Sequence, residues 1–199
     1  VPGSLMFLFG AEQVAPAFVE GSYDLLITFG CNKLERAGWD QLRQWAKPVI
    51  NFDHHPDNTG FGTVNVVDPA TSSVAELIYH FLKYRGTVLD KDVATCLLTG
   101  IFYDTGGFKH ANTTAEALEA AADLLKRGAR IDKISIQLVG KKSPATIRAW
   151  AKGLENIRFD ASKKVVFSVL TEEDLKEAGA SDEDLDGFVE LLNNIPQAK

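Results

Sequence analysis

Three features of the sequence predict an α/β fold, a mainly parallel sheet with helices on both faces. Short apolar runs have the length of buried strands, capped amphipathic segments lie between or after them, and polar residues gather where the strands end. Asp24-Leu-Leu-Ile-Thr-Phe29 and Pro48-Val-Ile-Asn-Phe52 suit strands buried on both faces, and Phe61–Val67 alternates as a third. Lys33–Trp45, between the first two, can hold a short helix. Ser73 with Glu76 forms a capping-box pattern ahead of Leu77, Ile78, Phe81 and Leu82, and Gly86 closes that helix. Asp90 caps the next helix, with Val93, Cys96, Leu97 and Ile101 on its inner face. Thr113 with Glu116 opens a third, ended by Gly128. Ser143-Pro144 opens a fourth, with Ile147, Trp150, Ala151 and Leu154 as its stripe.

The pattern changes after Asn156. Lys164–Leu170 alternates as a strand, and two capped helices follow, Thr171 with Asp174 and Ser181 with Asp184. One strand and two short helices bury too little to fold alone. The expected organisation is therefore a partial α/β domain over 1–157 lacking its first strands. The connector and opening of a second domain follow over 158–199.

Apolar residues make up 45% and charged residues 24%, which excludes a disordered chain. Apolar runs such as Ala94–Phe102 are too short to span a bilayer, and the start shows no signal-peptide pattern. A cytoplasmic location and no membrane partner are expected. The net charge of −6 argues against a long nucleic-acid duplex, whose binding needs basic patches. Small phosphate esters stay compatible, because a metal makes a pocket locally positive. Cys31 and Cys96 show no metal or redox spacing and read as small buried hydrophobes.

Two segments carry candidate chemistry. In Asn51-Phe-Asp53-His54-His55-Pro56 a buried strand runs into an acid and two histidines. Ligand sites of open α/β sheets lie at the carboxyl ends of strands, and Asp with His suits a divalent ion such as manganese. In Gly100-Ile-Phe-Tyr-Asp104-Thr-Gly106-Gly107-Phe108-Lys109-His110 an acid ends an apolar helix and a glycine turn follows. Local sequence leaves two readings open: a ligand loop whose amides hold phosphate oxygens, or a helix C-cap with an exposed acid.

Taken together, these segments resemble the DHH phosphoesterase family, in its branch that degrades very short RNA and dephosphorylates nucleotide bisphosphates. Asp53-His54-His55 looks like the motif that names the family, and Asn58–Gly62, Asn65 and Ala70–Glu76 look like its continuation. Gly100–Phe108 resembles the later aspartate motif. Pro2–Ala11 resembles the stretch after the family's second strand, and Asp160–Asn194 the connector to its C-terminal domain. The resemblance implies a hydrolase with two metal ions, usually manganese, with magnesium as the other candidate. It implies His54 and Asp104 as metal ligands and Asp53 as support for its neighbouring histidine. His55 faces the scissile phosphate as ligand neighbour or proton donor, and Lys109, His110, Gly106 and Gly107 contact substrate. The implied substrates are short RNA or DNA oligonucleotides and nucleotide phosphates. A homodimer is a further expectation, through a sheet edge left open by missing strands.

Two departures bear on activity. The family's opening motif, a histidine and two aspartates, has no counterpart here. A metal-bridging aspartate is expected six residues before an arginine; counting back from Arg36 reaches Gly30, which has no ligand atom. The alternative reading is therefore an inactive relative that binds a nucleotide or a protein partner without cleaving it.

Overall fold

The computed structural model describes residues 1–15, 23–37, 48–140 and 142–196. It has the predicted α/β class. Strands β1 (Leu26–Phe29), β2 (Val49–Asp53) and β3 (Val64–Val67) form a parallel sheet in the order β1-β2-β3. Helices α1 (Val74–Tyr84), α2 (Lys91–Asp104), α3 (Ala115–Lys126) and α4 (Ile131–Ser135) follow. Beyond them lie α5 (Pro144–Glu155), the antiparallel pair β4 (Arg158–Asp160) and β5 (Val165–Phe167), α6 (Glu172–Ala178) and α7 (Phe188–Asn193).

Central strand β2 is buried almost throughout, and Phe52 packs edge-on against Phe81 of α1 at 5.3 Å. The expectation that β1 is buried on both faces does not hold. Among the described residues β1 pairs only with β2, and Ile27 and Phe29 are 43% and 56% exposed. Of the helix expected over Lys33–Trp45, Leu34–Ala37 form a 3₁₀ turn, and residues 38–45, Trp39 and Trp45 among them, lie outside the described residues.

The core of the first compact unit, Val1–Leu138, is helical. Tyr79 of α1, Leu97, Leu98 and Ile101 of α2, Ala117 and Leu124 of α3 and Ile134 of α4 interlock in it. α1 and α2 approach closely because Gly100 faces Ala75: a Cβ at position 100 would lie 2.5 Å from that of Ala75. The caps at Ser73, Asp90 and Ser143 form as predicted, each side chain accepting from a first-turn amide. The cap of α3 is Thr114 rather than Thr113.

The second unit is Val139–Lys199, so the compact division falls earlier than the predicted boundary at 157/158. Its cause is α5. Ala149 is buried against Leu175 and Ala178 of α6, and the Trp150 Nε1–H donates to the Asp184 carbonyl at 2.9 Å. The helix expected at Ser181 is a 3₁₀ turn, Asp182–Leu185, and α7 starts only after Gly187.

Candidate functional site

β2 ends in Asp53, and the loop that follows turns its side chains back onto that carboxylate. Asp53 is fully buried. Its Oδ1 accepts from the His54 amide at 2.9 Å and from His55 Nδ1 at 2.6 Å, and Oδ2 accepts from Asn58 Nδ2. Burial alone would raise the Asp53 pKa. The hydrogen bonds from His55, Asn58 and the His54 amide outweigh it and hold the carboxyl below its ordinary value. Because the buried carboxylate accepts from His55 Nδ1–H, the ring's Nε2 keeps its lone pair.

His54 is oriented from the other side. Its Nδ1 lies 3.3 Å from the carbonyl of Thr71, in the loop before α1. Donation from Nδ1 leaves the Nε2 lone pair free, and Nε2 lies 3.8 Å from Asp104 Oδ2 at the end of α2. The two rings meet edge-on with centroids 4.9 Å apart. Asp104 borders an apolar cavity of about 300 Å³ lined by residues including Leu5, Leu8 and Tyr103. Burial pushes the Asp104 carboxyl up, against the opposing pull of the two histidines. A desolvated carboxylate beside a free imidazole lone pair gains from a cation between them.

The donor chemistry fits one divalent ion. A gap of 3.8 Å suits an ion about 2.1 Å from each atom, with nitrogen and oxygen donors of the kind manganese or magnesium accepts. The contact from Thr71 to His54 is the hydrogen bond that metal-binding imidazoles usually make through their second nitrogen. Among the described residues no three His, Cys, Asp or Glu side chains gather around one point, so the pair supplies two donors of a shell.

The loop after β1 runs beside this site, because the Gly30 amide donates to the Phe52 carbonyl at 2.9 Å and Asn51 and Asn58 both donate to the Cys31 carbonyl. Neither Cys31 nor Asn32 supplies a carboxylate there. Burial first, then the Asp53 charge, raises the Cys31 thiol pKa and keeps it protonated, while Asn32 Nδ2 donates to Asp57 at 2.8 Å.

The glycine turn behaves differently from the phosphate-holding loop considered above. Gly106, Gly107 and Phe108 all have positive φ. Their amides donate inward, Gly106 to Tyr103 O, Gly107 to Phe102 O and Phe108 to the buried Thr105 hydroxyl. The Lys109 and His110 amides both donate to Thr105 O. The turn is a helix C-cap, and its amides are already used. Gly106 serves instead as a floor for the His110 ring, which a Cβ there would meet at 2.3 Å. His110 turns Nδ1 toward the Asp104 carbonyl at 3.3 Å, and Lys109 is exposed. Asn58 and Asn112 are site residues whose roles the sequence did not reveal. Asn112 reaches Ser72, forty residues away along the chain, and no local pattern announces such a bond.

Residues 4–101 match the DHH family, N-terminal domain. The chain belongs to the DHH family. It is 36% identical over 147 residues to the bifunctional oligoribonuclease and PAP phosphatase NrnA of Thermus thermophilus, covering 74% of this chain and 44% of that protein. It is 33% identical over 126 residues to the NrnA of Bacillus subtilis, covering 62% and 39%. The matched stretch thus spans less than half of these relatives. The fold is similar to that of an exopolyphosphatase-related protein from Bacteroides fragilis, with a TM-score of 0.91 at 22% identity over 99% of this chain and 62% of that one. In this DHH-family chain the naming tripeptide is Asp53-His54-His55, and the structure brings it against Asp104. No helix among the described residues is long and apolar enough to cross a membrane.

Proposed function

We propose that this DHH-family domain serves a metal-dependent phosphoesterase acting on short oligonucleotides or nucleotide phosphates. The carrying observation is the pairing of His54 Nε2 with Asp104 Oδ2 at 3.8 Å, across fifty residues of chain, beside the His55 ring held by buried Asp53. His54 and Asp104 would hold one manganese or magnesium ion. Such an ion, when bound, draws charge from phosphoryl oxygens and sharpens a water for attack. Asp53 fixes the His55 ring through Nδ1, so that Nε2 accepts a proton from an attacking water or returns one to a leaving oxygen. The same carboxylate stabilises the imidazolium formed in between. Lys109 and His110, at the rim, would meet the substrate's remaining phosphate charge.

A second reading, a DHH relative that binds nucleotides without cleaving them, is favoured by one specific observation. Gly30 lies beside the site with no carboxylate, and neither Cys31 nor Asn32 supplies one. A paired-ion mechanism needs ligands that clamp both ions about 3.5–4 Å apart.

The deciding experiment follows Mn²⁺-dependent melting and hydrolysis of a two-nucleotide RNA and a nucleotide bisphosphate, for the chain and its His54→Ala variant. Mn²⁺ at 100 times its Kd is expected to stabilise the chain by about 2.7 kcal/mol, and His54→Ala to abolish the gain. Turnover lost in the variant supports the phosphoesterase. Nucleotide binding without turnover supports the second reading, and absence of any Mn²⁺ response refutes the metal site.

A further inference from the structure

We propose that Asn112 is a positioning residue that sets the spacing of the two metal donors, His54 and Asp104; the inference rests on the metal-dependent reading above. Asn112 is an exposed residue in the connection between α2 and α3, beyond the Gly100–Phe108 motif. Its Nδ2 donates to the Ser72 carbonyl at 2.9 Å and to the Asp104 carbonyl at 3.2 Å. One acceptor belongs to the residue that carries a metal donor, and the other to the loop that holds the His54 ring. Asp104 itself is a donor residue. Ser72 follows Thr71, whose carbonyl holds His54 Nδ1.

The connections form one short path: Asp104 main chain, Asn112 amide, Ser72 main chain, Thr71 carbonyl, His54 ring. Packing between α1 and α2 at Gly100 and Ala75 sets how closely the helices approach. It does not fix the rotation of the last turn of α2 or the height of the loop before α1. A primary amide is suited to that task, since one nitrogen carries two hydrogens in a fixed plane. A serine has one donor, and an ionised aspartate has none and would set a negative charge against two carbonyl oxygens. An exposed asparagine ordinarily spends its donors on water; here both are committed across the site. His110 Nδ1, 3.3 Å from the same Asp104 carbonyl, adds a weaker second tie.

The test compares Mn²⁺ affinity, from the free-ion EPR signal, with the melting temperature of the metal-free protein. Asn112→Asp and Asn112→Ala are expected to weaken Mn²⁺ binding about 10- to 100-fold, the usual loss when a group supporting a ligand is removed. Asn112→Gln keeps the amide and should recover part of that loss. Thr114→Ala, which removes the cap of α3 two residues further on, is the control for simple destabilisation. It should lower the melting temperature and leave Mn²⁺ affinity unchanged. If Asn112→Asp weakens Mn²⁺ no more than Thr114→Ala does, the proposal is overturned. A wild-type chain that binds no Mn²⁺ overturns the metal reading instead. The positioning claim then rests on crystal structures of wild type and Asn112→Asp, where an unchanged separation of His54 Nε2 from Asp104 Oδ2 overturns it.

Discussion

Asp53 concentrates the energetics of the site in one side chain. A fully buried carboxylate is tolerated because three donors meet it, and hydrogen bonds to a charged group contribute about 1.5–3 kcal/mol each. Asp53→Asn keeps the shape but turns an acceptor into a donor facing either His55 or Asn58. It is expected to lose at least about 2 kcal/mol at pH 7 in denaturant unfolding. The pH dependence follows from the direction of the shift. The folded pKa lies below the unfolded value of about 3.9, so the carboxylate's contribution is fully present above that value and is lost as pH falls through the folded pKa. The stability gap between wild type and Asp53→Asn should therefore persist from pH 7 to pH 5 and narrow below pH 4. A gap that widens in that acid range would contradict the assignment. At this scale the sequence was informative about residue types: Asp53, His54, His55 and Asp104 are polar groups at the ends of apolar elements, where packing does not call for them.

Among the elements, the α1–α2 contact decides how closely the helix that ends in Asp104 approaches its neighbour. Gly100 permits that contact, since a Cβ there would meet the Ala75 side chain at 2.5 Å. Intrinsic propensity favours alanine over glycine in a helix by about 1 kcal/mol, whereas overpacking costs about 1–3 kcal/mol. Packing wins, and Gly100→Ala should lower the melting temperature; a rise would show that the helices separate freely. Ends of elements were legible wherever the signal is local. Ser73, Asp90, Ser143 and Thr171 each cap the helix predicted for them, because a cap needs only residues within one turn. The turn after Asp104 was ambiguous for the same reason. Its composition fits a phosphate loop or a C-cap, and only the carbonyls of Ile101, Phe102 and Tyr103, with Thr105 among them, show where its amides go. The β4–β5 pairing was missed at β4, a strand of three residues too short to show alternation.

For the whole molecule, the two compact units differ in how much they bury. The first interlocks residues from four helices, whereas the second has Ala149, Leu175 and Ala178 as its buried apolar cluster. Backbone amides of α2 and α3 are therefore expected to exchange with deuterium more slowly than those of α5 and α6. Equal protection in a hydrogen-exchange experiment would mean that the second unit draws stability from more than its own cluster.

The α/β class, most helix starts and membership of the DHH family were legible in the sequence. These depend on residue type and on spacings of a few residues, which a linear chain displays. The tertiary structure was needed to show that Ile27 and Phe29 of β1 are exposed, that α5 packs with the second unit and that the amides of Gly106–His110 are already engaged. It also decided that His54 and Asp104 stand 3.8 Å apart and that Asn112 ties the Asp104 main chain to Ser72, next to the Thr71 carbonyl that holds His54. Partners forty and fifty residues apart meet only after helices have packed, and side-chain volume at contacts such as Gly100 with Ala75 sets how closely those helices approach.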